Sequence, residues 1–176
     1  MIVFKRFFVI VVKFMLKISR YIRNASFFYA FCILAIVELC FIFVYWLVYF
    51  QLFGGNDIIF VEEPYAFIQT YGEFVFMALV GAPLLETLIF QTGAYHLLKR
   101  LKWLRRRKYY IVVISGALFG LTHLFSLSHL IVATILGFFF MYVYIIRYRR
   151  GGFWLVVLLH AFYNGIGLLL EHFELF

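Results

Sequence analysis

Five long apolar stretches constrain this chain more than any other feature of the sequence. A helix needs about 20 apolar residues to cross the hydrocarbon core of a bilayer, and helices satisfy their own backbone hydrogen bonds in lipid. With 66% hydrophobic residues and 25 Phe among 176, the sequence predicts an all-α, polytopic membrane helix bundle of about five transmembrane helices. The five predicted spans are residues 26–53, 74–98, 109–126, 129–146 and 152–173.

The first 24 residues have a different pattern. Arg6, Lys13, Lys17 and Arg20 recur at helical spacing, and apolar residues fill the opposite side. This pattern predicts an amphipathic helix that lies in the plane of the membrane. We therefore divide the chain into a basic N-terminal helix at 1–25 and a transmembrane bundle at 26–176.

The charged residues predict the orientation of the bundle. All 16 Lys and Arg lie in residues 1–24, 99–108 and 147–150, whereas residues 54–73 form an acidic loop. Five spans place the three basic segments on one side, and the positive-inside rule makes that side cytoplasmic. The prediction is a multi-pass protein of the cytoplasmic or inner membrane with its N-terminus inside. The net charge of +8 then reflects contact with the bilayer, not with nucleic acid.

Four polar residues inside the apolar stretches are candidates for function: Glu86, His123, His160 and Asn164. Ionisable residues inside a membrane are costly and commonly functional. Glu38 lies in the first span without a partner motif, so we interpret it as a protonated or helix-bonded carboxyl. His96 and His129 fall near span ends, where interfacial water can solvate them.

The spacing of these residues indicates how they could meet. Phe119 and His123 are four residues apart, as are His160 and Asn164, so each pair shares a helix face. Gly116 and Gly120 would allow a close approach to a neighbouring helix, and Gly165 and Gly167 could do the same in the last span. The predicted third span places His123 near its outer end, however, whereas Glu86 and His160 lie near mid-membrane.

A carboxylate, two imidazoles and an amide can form a hydrolytic site. Glu86 could act as a general base, one His could orient water, and a His and an Asn could stabilise an oxyanion. The same residues could also hold helices together or line an ion pathway. Spacing alone leaves these alternatives open.

Three segments in order resemble the CPBP family of intramembrane proteases, the CAAX-protease and bacteriocin-processing group also called the Abi family. The family motifs are EExxxR, FxxxH and HxxxN or HxxxD, and this chain has ETLIFQ at 86–91, FGLTH at 119–123 and HAFYN at 160–164. Pro83 and Phe90 also fit the usual context of the first motif. The resemblance covers about residues 80–168.

The resemblance implies a role for each matching residue. Glu86 would be the general base, His123 would help to bind the attacking water, and His160 and Asn164 would form the oxyanion hole. Phe90 and Phe119 would support them. The resemblance implies no metal and no other cofactor. Zinc is the alternative, because two His, a Glu and water can form a zinc site.

Two positions depart from the family motif. Thr87 stands in place of the second Glu and Gln91 in place of the Arg. Changing both together removes a buried charge pair without stranding either partner. We expect Thr87 and Gln91 to support the site through a hydrogen bond across one helical turn.

The resulting prediction is an intramembrane endopeptidase that cleaves membrane-anchored proteins or peptides. The alternative is a non-catalytic membrane scaffold or bacteriocin-immunity-type protein with the same fold, which the two motif departures favour. The expected partners are such a substrate and the lipid bilayer, and nothing in the sequence fixes an oligomeric state.

Overall fold

The computed structural model describes residues 17–53, 58–60 and 70–173, and within them the regular structure is helical. The described part of α1, residues 17–24, leads into α2 (Phe27–Phe53). A continuous helical segment, Tyr71–Leu98, comes next. After it follow α6 (Lys102–Arg106), α7 (Lys108–Leu121), α8 (Leu127–Arg147) and α9 (Gly152–His172). The predicted all-α membrane helix bundle is confirmed.

The segment Tyr71–Leu98 contains two stretches of π-helix. It runs through five elements: α3 (Tyr71–Phe76), π1 (Met77–Gly81), α4 (Ala82–Glu86), π2 (Thr87–Gly93) and α5 (Ala94–Leu98). π-Turns within α-helices are frequent at functional sites, and the extra residue alters which side chains share a face. The sequence pattern predicted an uninterrupted span and missed both.

The predicted acidic loop at 54–73 is too long at its C-terminal end. Thr70 caps α3 by accepting a hydrogen bond from the Glu73 N–H at 3.2 Å, and the Glu73 carboxylate accepts from the Thr70 N–H at 3.0 Å. This reciprocal capping box starts the helix at Tyr71 and places Glu73 in its first turn. Residues 54–57 and 61–69 of the predicted loop lie outside the described residues, as do residues 1–16 of the predicted N-terminal helix.

Four helical segments are long and apolar enough to cross a membrane, and the third predicted span is not among them. They are Phe27–Leu52, Tyr71–Leu98, Leu127–Arg147 and Gly152–His172. Helix α7 has 14 residues, which corresponds to roughly 21 Å, whereas the hydrocarbon core is about 30 Å thick. The predicted end of this span at residue 126 is wrong, because a turn at 122–125 ends the helix at Leu121.

Helices α7 and α8 form the most extensive helix pair of the described bundle. Gly116 and Gly120 of α7 face α8, where a β-carbon would collide with Phe138 or Thr134. The predicted close approach is therefore present in α7. It is absent in α9, where a β-carbon on Gly167 would meet nothing within 4 Å. A β-carbon on Gly165 would make only an ordinary contact with Leu79.

The three basic segments meet at one end of the bundle. Arg147, at the end of α8, is buried and donates from Nη1 to the carbonyls of Ile22 and Ala25 at 3.1 and 2.7 Å. Arg150 donates from Nη1 to the carbonyl of Arg23 at 3.0 Å. The sequence placed Arg147 in a solvated loop, but its guanidinium satisfies carbonyls at the C-terminal end of α1.

Segment 58–60 covers the turn that follows α7. The Phe60 N–H donates to the Phe125 carbonyl at 2.8 Å, and the Leu127 N–H donates to the Ile58 carbonyl at 2.9 Å. Non-helical backbone at membrane depth needs protein or water partners, because lipid offers no hydrogen bonds. The pairing with 58–60 supplies those partners and fixes the turn that carries His123.

Candidate active site

Glu86 is the last residue of α4, and a proline and a π-helix flank it. Pro83 lies one turn before Glu86, and π2 begins at the residue that follows it. The side chain of Glu86 is 25% exposed as a whole, whereas its Oε2 is buried and has no hydrogen-bond partner among the described residues. Proline and the wide π-turns fix the direction in which this carboxylate leaves the helix.

His123 lies in the turn after α7, and its ring is held by the end of that helix. Its Nδ1 is 2.9 Å from the Phe119 carbonyl oxygen, which can only accept, so Nδ1 carries the proton. In the neutral imidazole, Nε2 is then the acceptor. The rings of Phe119 and His123 are 4.7 Å apart, as the spacing of the FxxxH motif predicted.

His160 lies in the middle of α9 and is buried. Its ring is 5.2 Å from the ring of Phe140 and 5.7 Å from that of Phe119. Its Nδ1 has no hydrogen-bond partner among the described residues, whereas its Nε2 faces Glu86. The aromatic contacts hold the imidazole in one plane against α8.

One carboxylate oxygen brings the three side chains together. Oε2 of Glu86 is 3.8 Å from Nε2 of His123 and 3.8 Å from Nε2 of His160. Both distances exceed a direct hydrogen bond, for which 2.7–3.2 Å is typical. Three helical segments that are distant in sequence therefore present a base and two imidazoles to one small volume. The predicted third span placed His123 at a different depth from Glu86 and His160. Because α7 ends at Leu121, the turn at 122–125 brings His123 to the depth of the other two residues.

Phe90 and Phe119 pack beneath this arrangement. Their rings meet edge to face at 5.4 Å, and Ser115 Oγ donates to the Phe90 carbonyl at 2.5 Å. Serine at this position in α7 is buried. No sequence motif singles out Ser115, because its hydroxyl bonds to a backbone group of another helix.

Asn164 is one turn beyond His160 on α9, and its amide is bonded to a different helix. Nδ2 donates to the carbonyl of Ala78 in π1 at 2.7 Å. One amide hydrogen is committed to this bond, and an Asn side chain has a second. The sequence paired Asn164 with His160 and did not predict the contact with Ala78.

Thr87 and Gln91 do not form the expected hydrogen bond. Both side chains are buried, at 0% and 1% exposure, and their polar atoms have no partner among the described residues. They lie in π2, whose i→i+5 backbone bonding departs from the α-helical turn on which the prediction rested. They fill the position of the family's charge pair without reproducing its contacts.

An apolar cavity of about 540 Å³ lies between the start of the segment Tyr71–Leu98 and the C-terminal half of α9. One helix contributes Val75 and Leu79 to its lining, and α9 contributes Phe162 and Gly165. None of the four candidate residues lines this cavity, which extends along α9 to His172. Sequence reasoning missed it, because it depends on how two helices splay.

A metal ion would have to use Glu86, His123 and His160, the donor set of the zinc alternative. Within the described parts of the chain, no three such side chains form a metal-ligand cluster. We therefore derive no step through a metal. The expectation of no cofactor remains a prediction.

Comparison with known protein families identifies the chain. The family described as "Type II CAAX prenyl endopeptidase Rce1-like" matches residues 69–166, which is more than half of the chain. The chain belongs to the Rce1-like family. This match confirms the resemblance to the CAAX proteases, and its range starts earlier than the predicted core at 80–168. All four candidate residues lie within it.

The Rce1-like family consists of peptidases that act on membrane-associated proteins. Together with the four long apolar helices, membership makes the chain an integral, multi-pass membrane protein. Among curated proteins and among solved structures, no match was found.

Proposed function

We propose that this Rce1-like chain is an intramembrane endopeptidase in which Glu86 activates water to hydrolyse a peptide bond. The observation that carries the proposal is the position of Glu86 Oε2 at 3.8 Å from Nε2 of both His123 and His160. A water bound between these atoms could donate one hydrogen to the carboxylate and the other to Nε2 of His123. The Phe119 carbonyl supports this role by keeping the proton of His123 on Nδ1.

The proposed reaction proceeds by addition and elimination. Glu86 takes a proton as the water oxygen bonds to the peptide carbonyl carbon, and the carbonyl oxygen becomes an oxyanion. His160 and the second amide hydrogen of Asn164 stabilise that charge. Glu86 then delivers its proton to the peptide nitrogen as the C–N bond breaks, leaving a new carboxyl and a new amine. A general base in this position contributes about 10²–10⁴-fold to the rate.

The substrate class follows from the surroundings of the site. The apolar cavity of about 540 Å³ offers space for an apolar segment or a lipid anchor along the C-terminal half of α9, the helix that carries His160 and Asn164. The exposed surface of the helices is apolar, so a substrate would arrive through the membrane. We infer that the chain cleaves membrane-anchored proteins or peptides close to their anchored part.

The orientation of the chain is part of the proposal. The basic segments meet at one end of the bundle, and the positive-inside rule assigns that end to the cytoplasm. The N-terminus would then be inside.

A non-catalytic scaffold is the competing function. The observation that favours it is the replacement of the family's second Glu and Arg by Thr87 and Gln91, whose polar atoms have no partner among the described residues. A scaffold would keep the fold without needing the proton chemistry of Glu86.

The test compares protein termini in membranes of cells that express the wild type, Glu86→Gln or Glu38→Gln at matched levels. Glu38→Gln is the control, because it also neutralises a mid-membrane carboxyl but lies outside the proposed site. Termini present with the wild type and Glu38→Gln but absent with Glu86→Gln would support the protease and identify a substrate. If Glu86→Gln leaves every terminus and the cellular phenotype unchanged, the scaffold is the better account.

A further inference from the structure

A second cavity, of about 440 Å³, lies at the basic end of the bundle, far along the helices from Glu86. Four cations line it: Arg23 from α1, Lys108 at the start of α7, and Arg149 and Arg150 after α8. Three segments that are distant in the sequence therefore contribute positive charge to one concave surface.

Among the described residues, no carboxylate lines this cavity. The ion pairs found among the described residues both involve Glu86, in the candidate active site. Four like charges around one cavity repel each other, and an anion placed among them would relieve that repulsion. The charge pattern of the cavity thus fits an anionic ligand.

Hydrogen bonds hold part of this charge in place before any ligand binds. Arg150 uses Nη1 to reach the Arg23 carbonyl at 3.0 Å and Asn24 Oδ1 at 3.2 Å. The buried Arg147 anchors the same end of α1 through three carbonyls. Binding an anion therefore requires little ordering of these side chains, which favours affinity.

A fifth cation, Lys99, lies against two tyrosine rings that line the cavity. The ammonium of Lys99 is 5.2 Å from the ring centre of Tyr95 and 5.3 Å from that of Tyr148. Both tyrosines line the cavity, and the Tyr148 hydroxyl is 3.1 Å from His96 Nε2. Tyrosine and lysine in this combination are typical of the interface between membrane and water.

The remaining lining residues distinguish a lipid from a soluble anion. Ile145 and Ile146 contribute apolar surface, and both belong to α8, a membrane-crossing helix. The cavity is thus cationic where α8 ends and apolar toward its interior, which matches a phosphate group with acyl chains attached. Basic pockets between transmembrane helices bind lipid head groups in this way.

We propose that this cavity binds the phosphodiester head group of an anionic phospholipid, with Arg23, Lys108, Arg149 and Arg150 around the phosphate. The site is separate from the candidate active site and does not depend on the proposed peptidase activity.

The test uses the full chain purified in neutral detergent and offered phosphatidylglycerol in a phosphatidylcholine background. Native mass spectrometry measures retained phosphatidylglycerol. The variant Lys108→Gln/Arg149→Gln removes two lining cations that make no hydrogen bond in the described structure. The matched control, Arg105→Gln/Arg106→Gln, removes two cations from the adjacent basic loop, outside the cavity.

The cavity variant should retain phosphatidylglycerol about thirty-fold less well, since each cation near an anionic head group contributes about five-fold. The control should retain it as the wild type does. Equal loss of phosphatidylglycerol in both variants would mean that the lipid is held by diffuse attraction to the basic loops and not by the cavity, which would overturn the proposal. Retention by the cavity variant at the wild-type level would also overturn it. If the double variant does not fold, Arg149→Gln alone should lose about five-fold, and no loss would contradict the site.

A final measurement distinguishes binding of a lipid from binding of a soluble anion. Inorganic phosphate alone should not raise the melting temperature of the wild type, whereas phosphatidylglycerol should. An equal rise with inorganic phosphate would identify the ligand as a soluble phosphate and overturn the lipid assignment.

Discussion

The side-chain Nδ2 of Asn164 donates a hydrogen bond of 2.7 Å to the backbone carbonyl of Ala78. The geometry of π1 explains why this carbonyl needs a side-chain donor. In an α-helix the N–H of Ala82 would bond to it, but here that N–H donates to the carbonyl of Met77. The next residue is Pro83, which has no N–H. Asn164 therefore completes the backbone bonding of a neighbouring helix, where lipid provides no substitute.

Asn164→Ala should lower the free energy of unfolding by about 1–3 kcal/mol, the cost of a buried acceptor without a donor. Asn164→Leu should do the same, because leucine keeps a similar volume but has no hydrogen-bond donor. Denaturant unfolding in mild detergent measures both.

Pro83→Ala supplies the control for this prediction. It introduces a backbone N–H that can reach Ala78, so Asn164→Ala should cost less in the Pro83→Ala background. An equal cost in both backgrounds would mean that Asn164 acts elsewhere than on the Ala78 carbonyl.

Gly116→Ala and Gly120→Ala should each destabilise the bundle by about 1–3 kcal/mol, because the added methyl group collides with α8. Gly167→Ala is the matched control, since a β-carbon there meets nothing within 4 Å and alanine favours the helix. Thermal unfolding in detergent should separate the first two variants from the third. Similar melting temperatures for all three would contradict the close packing of α7 on α8.

Glu38→Met should raise the free energy of unfolding by about 1–3 kcal/mol and leave cleavage unchanged. Glu38 is 1% exposed, and its carboxylate oxygens have no hydrogen-bond partner among the described residues. Methionine keeps a similar volume without the cost of burying a polar group. If the Glu38→Met protein is less stable than the wild type or inactive, the prediction is wrong and the carboxyl of Glu38 has a structural or functional role.

Thr87→Glu and Gln91→Arg should each be strongly destabilising alone, by about 3–5 kcal/mol, because each buries a charge without a partner. The double variant restores the charge pair of the family motif and should recover part of that loss. Unfolding of the four proteins in a double-mutant cycle gives the coupling energy. Additive losses would show that π2 in this chain no longer brings the two positions together.

The sequence pattern singled out Glu86, His123 and His160 as candidates, because few polar residues interrupt the apolar stretches, but the predicted end of the third span left His123 at a different depth. Lipid exposure penalises such residues, so bringing them together in the interior is the favourable arrangement. Hydropathy likewise predicted four of the five spans to within about three residues at each end.

The local backbone around Glu86 could not be predicted in the same way. Neither MALVG in π1 nor TLIFQTG in π2 carries a sequence signal that distinguishes a π-helix from an α-helix. The proline at 83 was the available signal, since it removes one backbone donor and so requires a partner for a carbonyl upstream. That partner, Asn164, lies 86 positions from Ala78 and only the fold brings them together.

The shortness of α7 makes one part of the molecule sensitive to the thickness of its bilayer. Its neighbour α8 has 21 residues and spans about 31 Å, whereas α7 spans roughly 21 Å. Such a mismatch is relieved when the surrounding lipid thins or when polar groups at the helix end draw water inward. The helix that ends beside His123 is thus the one whose surroundings depend most on acyl chain length, and the hydrolysis proposed for this site needs water as its second reactant.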